Sequence, residues 1–339
     1  MTRHRVRHVR FALLASMALP TAVLANDTTA RVGVGGLVFT KTQAISMEAE
    51  HLVISPSRVR VAYTYRNITN RDVRTVVAFP TPAYSDCLTE SQTDQNQRPV
   101  ENLATQVDGE PVTTTLVRSA VVGSVDVTAK LRAAGLAEHQ IFPPMRLPYC
   151  LSLPEGDPLT AVQRRRLKAA SLPKGSIQTT DTYHWNQTFP AGRSVRVSHD
   201  YTPFPGSIYT FANPKSTDES RWVPVSSLQD DDTDRTCLDE GARAAILSRV
   251  RSLLQAGASD VQISLRDVEY ILGTARNWKG PIGNFTLDLV KERPEDVVSL
   301  CFPGHANKLD ATTLRFERRD FIPPDRIYVN FYSITASKR

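Results

Sequence analysis

The clearest alternation in the chain runs through "VRVAYTYRNITNRDVRTVVAFPTP", residues 59–82. Val59, Val61, Tyr63 and Tyr65 alternate with Arg60, Ala62, Thr64 and Arg66, and Val73, Thr75, Val77 and Phe79 repeat the pattern after the polar turn "NITNRD". A period of two belongs to a strand with one buried face. The stretch therefore predicts a hairpin, ended by Pro80 and Pro82. A third strand is expected through "TQVDGEPVTT", where Asp108-Gly109 supplies turn chemistry.

Farther along, the texture changes. "SVDVTAKLRAAGL" and "PLTAVQRRRLKAASL" have helical composition, and the Pro-rich "IFPPMRLPYCLSLPEGDP" between them breaks helix and sheet alike. A second hairpin is expected in "TTDTYHWNQTFPAGRSVRVSHDYTPFPG", turning at Pro190-Ala191-Gly192, with Tyr183 and Trp185 inward on one strand and Val195, Val197, His199 and Tyr201 sharing a face of the next. An amphipathic helix near 238–256 follows. Leu238, Ala242, Ala245, Ile246, Val250, Leu253 and Leu254 form its stripe, Asp239 and Glu240 open it, and Gly257 stops it. "DVQISL", "NFTLDLV", "DVVSLCF", "TTLRFER" and "DRIYVNFYSI" add short strands. Strands dominate without βαβ alternation, so the class is mainly β, with two β-sandwich-like halves and a few helices. The expected division is a signal peptide at 1–25, an N-terminal β-rich half at 26–123, a helical and Pro-rich connector at 124–175 and a C-terminal β-rich half at 176–339.

The signal peptide rests on Arg3, Arg5, Arg7 and Arg10, the apolar "FALLASMALPTAVL", and the small-residue site Val23-Leu24-Ala25. Cleavage after Ala25 would remove four Arg and no acid, so the +6 of the whole chain falls to 37 basic against 35 acidic groups, or +2. The basic balance belongs to the leader, and the remaining Lys and Arg are dispersed. "QRRRLK" reads as the solvated face of a short helix, and nucleic acid is not an expected partner. No later segment reaches the 18 or more apolar residues of a spanning helix. "ARVGVGGLVFT" carries three glycines but has no helix after it to hold a phosphate, so Gly33, Gly35 and Gly36 read as strand punctuation.

Four cysteines in an exported chain argue for disulfides. Of three possible pairings, Cys87 with Cys150 and Cys237 with Cys301 places one bridge in each half.

Chemical motifs are sparse. His51, His139, His184, His199 and His305 show no metal spacing, and neither a nucleophile elbow nor a phosphate loop occurs. Asp230, Asp232 and Asp234 match the first positions of a calcium loop, but Arg235 and Gly241 stand where its Gly and Glu belong, so a solvated acidic loop is the better reading. Trp278, in the turn-rich "NWKGPIGNF", is expected to pin that turn, with contact to a partner as its alternative role.

The blocks "NDTTARVGVGGLVFTKTQAISMEAEHLVISPSRVRVAYTYRNITNRDVRTVVAFPTP", "YHWNQTFPAGRSVRVSHDYTPFPG" and "NWKGPIGNFTLDLVKERPEDVVSLC" together resemble a family of exported proteobacterial proteins of unknown function. The resemblance implies a periplasmic, β-rich protein and carries over no catalytic residue. Tyr65–Pro82 followed by Val107-Asp108-Gly109 also resembles the β-sandwich of inter-α-trypsin inhibitors.

The expectation is a non-catalytic periplasmic binding or assembly module. It uses no cofactor or metal and takes an envelope protein or glycan as partner. The alternative is an envelope-polymer hydrolase whose carboxylates and His199 are assembled by the fold.

Overall fold

The computed structural model describes residues 26–33, 36–84, 100–123, 125–142, 159–203, 206–215, 218–224 and 237–336. Its strands are β1 (Thr28–Gly33), β2 (Gly36–Thr40), β3 (Ile45–Ile54), β4 (Val59–Asn67), β5 (Val73–Pro80), β6 (Val100–Val107), β7 (Glu110–Pro111), β8 (Thr115–Val122), β9 (Val125–Asp126), β10 (Gln178–Phe189), β11 (Ser194–Pro203), β12 (Gly206–Ala212), β13 (Val261–Ile271), β14 (Ile282–Val290), β15 (Val297–Leu300), β16 (Asn307–Lys308), β17 (Thr313–Phe321) and β18 (Arg326–Ala336). The α-helices are α1 (Thr128–Ala133), α2 (Glu138–Ile141), α3 (Ala161–Ala169) and α4 (Glu240–Gln255). The expected mainly β class is what the chain adopts.

The described residues form three sheets: a six-stranded sheet β2-β1-β5-β10-β8-β9, an eight-stranded sheet β16-β17-β14-β3-β4-β11-β6-β7 and a four-stranded sheet β12-β13-β18-β15. The eight-stranded sheet turns Leu52, Val61, Tyr65 and Leu287 inward. Against them pack Phe79, Trp185 and Phe189 of the six-stranded sheet and Val268, Tyr270 and Phe331 of the four-stranded one. Strands from both ends of the chain meet in the parallel pair of β3 and β14.

Both expected hairpins are corrected to arches. β4 pairs with β3 and β11 in the eight-stranded sheet, whereas β5 pairs with β1 and β10 in the six-stranded one. The turn at 68–72 therefore carries the chain between sheets, as does the turn between β10 and β11. The two arches lie side by side, because β4 pairs with β11 and β5 with β10. Buried Asn67 joins them: its Nδ2 donates to the carbonyls of Arg71 and Phe189, each at 2.8 Å, and its Oδ1 accepts from the Thr69 amide at 2.9 Å. Alternation assigns each residue to a face; it does not name the strand's neighbour. The Asp108-Gly109 turn between β6 and β7 does form as expected, with φ of 51° and 91°.

Helices cover a second face of the four-stranded sheet and part of the six-stranded one. Ile246 and Val250 of α4 pack on Ile263, Leu265 and Tyr332, and Leu131 of α1 packs with Ala120 and Val122 of β8. Asp239 caps α4 by accepting from the Ala242 amide at 2.6 Å. Cys237 and Cys301 form the expected disulfide, with Cα atoms 5.1 Å apart. The expected Cys87–Cys150 pair and the acidic stretch Asp230, Asp232 and Asp234 lie outside the described residues.

Candidate functional site

The outer face of the eight-stranded sheet is an open groove of about 1020 Å³. Cross-strand register builds its floor. Gln106, Ser198, Ala62, His51 and Thr286 form one row across β6, β11, β4, β3 and β14, and Arg196, Thr64, Ala49 and Asn284 form the next. Ala49, Ala62 and Ser198 keep the centre low, while Gln106, Arg196, His51 and Asn284 raise a hydrogen-bonding rim. A further hollow of about 590 Å³ continues past Arg60, Asp200, Asp288 and Arg315.

One end of the groove is held by ion pairing. Arg315 donates from Nε and Nη2 to the two oxygens of Asp288, each at 2.7 Å, and His51 Nε2 lies 2.8 Å from Asp288 Oδ2. Burial alone would raise Asp288, but hydrogen bonds from Arg315 and His51 outweigh it and hold the carboxyl below its usual range. At the neighbouring edge, Asp200 accepts from the Arg58 guanidinium, with Nε–Oδ1 at 2.8 Å.

The opposite face of the same strands carries a sealed polar cluster. A bulge between Met47 and Ala49 shifts the phase of β3, so Glu50 turns inward with Leu52 and Ile54. Gly283 permits the bulge, since a Cβ there would sit 2.7 Å from the Glu48 carbonyl oxygen. Glu50, 1% exposed, accepts from Asn26 Nδ2 at 3.2 and 3.0 Å. Its carboxyl is pushed up to about 8, by burial first and then by neighbouring Asp27, against the lowering effect of the Asn26 hydrogen bond. Asp27 Oδ1 lies 2.8 Å from His199 Nε2, and His199 Nδ1 lies 3.0 Å from Thr105 Oγ1. Tyr65 donates to Asp27 Oδ2 at 3.2 Å, and the hydroxyls of Tyr63 and Tyr270 meet at 2.9 Å.

An acid, an imidazole and a hydroxyl in line have the order of a nucleophilic triad. The His199 and Asp27 side chains are nevertheless wholly buried, and Thr105 is 5% exposed. His199 borders the outer hollow through its main chain, while neighbouring Asp200 projects from the other face of β11. The His199 and Asp200 side chains thus do not converge. Trp278 is also buried: its ring lies tilted against Tyr65 with centroids 4.4 Å apart, and it donates from Nε1 to the Asp27 carbonyl at 2.7 Å. It pins the turn and leaves no ring surface for a partner. No cluster of three or more His, Cys, Asp or Glu side chains suited to a metal ion occurs among the described residues.

Sequence reasoning missed His51, Asp288 and Arg315 as a group. A charged residue inside the apolar strand "NFTLDLV" is the signal that marks Asp288, but its partners lie 237 and 27 positions away.

Residues 25–329 match the family described as Domain of unknown function (DUF4424), and the chain belongs to that family. No curated protein matches the chain. Among solved structures, a protein of Legionella pneumophila, provisionally named a nutrient binding protein, aligns over 91% of this chain and 70% of its own, at 14% identity and a TM-score of 0.45. An M1 zinc metallopeptidase from Deinococcus radiodurans aligns over 86% of this chain at 9% identity and a TM-score of 0.29, and only 43% of that chain is covered.

Proposed function

We propose that this family member is an exported, periplasmic binding module that holds an envelope glycan in the outer groove and performs no chemistry on it. Export is supported by the basic, apolar and small-residue order of residues 1–25. The observation that carries the binding reading is the floor of Ala49, Ala62 and Ser198 beneath a rim of Gln106, Arg196, His51 and Asn284. A low floor with convergent hydrogen-bonding groups suits an extended ligand rich in hydroxyls and amides. The carboxylates argue against hydrolysis. A glycosidase acid must keep its proton near neutral pH, yet Asp288 is held ionised by Arg315 and His51, and Glu50 is sealed on the other face, out of reach of any ligand in the groove.

Calorimetric titration of the exported protein with soluble envelope glycan fragments tests this reading. Saturable binding is expected. Ala62→Trp should abolish it without lowering Tm, because the exposed Ala62 faces open space, and Asn284→Ala should weaken it about tenfold, the worth of one good hydrogen bond. Release of reducing ends, or binding indifferent to both substitutions, would overturn the proposal.

A further inference from the structure

Asn26, Asp27 and Thr28 are each fully buried, which is unusual for three consecutive polar residues beside an expected processing site. Every one is anchored. Thr274 Oγ1 donates to the Asn26 carbonyl at 2.5 Å, Trp278 Nε1 to the Asp27 carbonyl, and Asn277 Nδ2 to Thr28 Oγ1 at 2.9 Å. The contacts of Asp27 with His199 and Tyr65, and of Asn26 with Glu50, complete the set.

Two features of this knot are unsatisfied. Asn26 Oδ1 is buried without a hydrogen-bond partner, and Glu50 shares the cluster with a second acid, Asp27, while only a neutral amide donates to it. His199 is engaged by Asp27 and Thr105. The other titratable groups facing Glu50 are Tyr63, Tyr65 and Tyr270, all lifted well above the ordinary phenol range, by burial first.

We infer that cleavage after Ala25 completes this cluster: the new α-ammonium of Asn26 becomes the buried counter-ion of Glu50, and the processed N-terminus locks the three sheets together. Water hydrolyses the Ala25–Asn26 amide under an external signal peptidase. Ala25 leaves with the carboxylate, and the freed amine takes up a proton. The α-nitrogen belongs to the residue whose side-chain amide already touches both Glu50 oxygens. An ammonium brings three donors, enough for Glu50 and for the orphaned Asn26 Oδ1. A peptide nitrogen at the same place carries one N–H and no charge. This step rests on the export reading, goes beyond the glycan reading and is independent of the latter.

The test compares the exported protein with the full chain purified uncleaved. Intact mass of the exported form should place its first residue at Asn26. An amine-acylating reagent should modify that folded α-amine at least about tenfold more slowly than the same amine in denaturant, since reaction requires opening of the knot. Glu50→Gln should lower the Tm of the processed form and leave that of the uncleaved chain unchanged or raised. A start other than Asn26, an α-amine acylated equally fast folded and unfolded, or an equal effect of Glu50→Gln on both forms would overturn the inference. The acylation arm uses the unsubstituted protein, so it decides even if the Glu50 variant does not fold.

Discussion

Glu50 is buried because one extra residue in β3 reverses the phase of the strand. Counting by twos from Ile45 and Met47 carries the inward face to Ala49, His51 and Val53, and puts Glu50 in solvent; the structure does the opposite. The bulge was not legible in the sequence, since the Gly283 backbone that makes room for it comes from a strand more than 230 residues away. A pH dependence follows for the uncleaved chain. Folded Glu50 holds its proton up to about 8, whereas the unfolded chain releases it near the usual 4.5. The folded state therefore binds the extra proton between those values. Stability falls as pH rises through that interval, by at most about 1.4 kcal/mol per unit, and levels off above it. Urea unfolding of the uncleaved chain across this range should show the slope, and Glu50→Gln should remove it. The Asp27–His199 contact is common to both proteins and cancels in the comparison. An unchanged slope in the variant would mean that Glu50 is ionised or hydrated in the folded chain.

At the level of elements, strands and α4 could be read from periodicity, whereas pairing could not. Val59–Tyr65 and Val73–Phe79 have the pattern and the short polar turn of a hairpin, yet each strand finds its neighbours in a different sheet. What separates arch from hairpin is Asn67, whose side chain replaces the backbone bonds a hairpin turn would make and reaches across to Phe189 in the second arch. One of the two Asn in "NITNRD" does not announce that role. Its removal should be costly, however. Asn67→Ala leaves the buried Phe189 carbonyl and the part-buried Arg71 carbonyl and Thr69 amide without their partner, an expected loss of about 2–3 kcal/mol. Asn67→Asp keeps the acceptor but loses both donations, so it should fall nearly as far. Equilibrium denaturation measures both, and losses within about 0.5 kcal/mol of zero, as for an ordinary surface site, would remove Asn67 from the arch's support.

For the whole molecule, the groove exists because β3 and β14 lie parallel, bringing His51 beside Thr286 and within reach of Asp288, which stands opposite Arg315 in the β14–β17 ladder. A parallel pair needs a long connection, and here it is most of the chain, so no local pattern could have shown the groove or its rim. The same ladder bears on the division into two halves expected from composition. β3 and β4 come from the N-terminal stretch and β14 and β17 from the C-terminal one, yet they are consecutive in one sheet over one continuous core. Cutting between them would bare Leu52 and Ile54 on one side and Leu287 and Leu289 on the other, together with an open row of backbone donors and acceptors along each edge. The protein should accordingly unfold as one unit. Scanning calorimetry of the exported form is expected to give a single transition whose calorimetric and van't Hoff enthalpies agree, and a fragment ending at residue 175 should not fold alone. Two separable transitions, or a folded fragment with cooperative unfolding of its own, would show that the halves are stabilised independently and that the β3–β14 ladder is a docking contact between them.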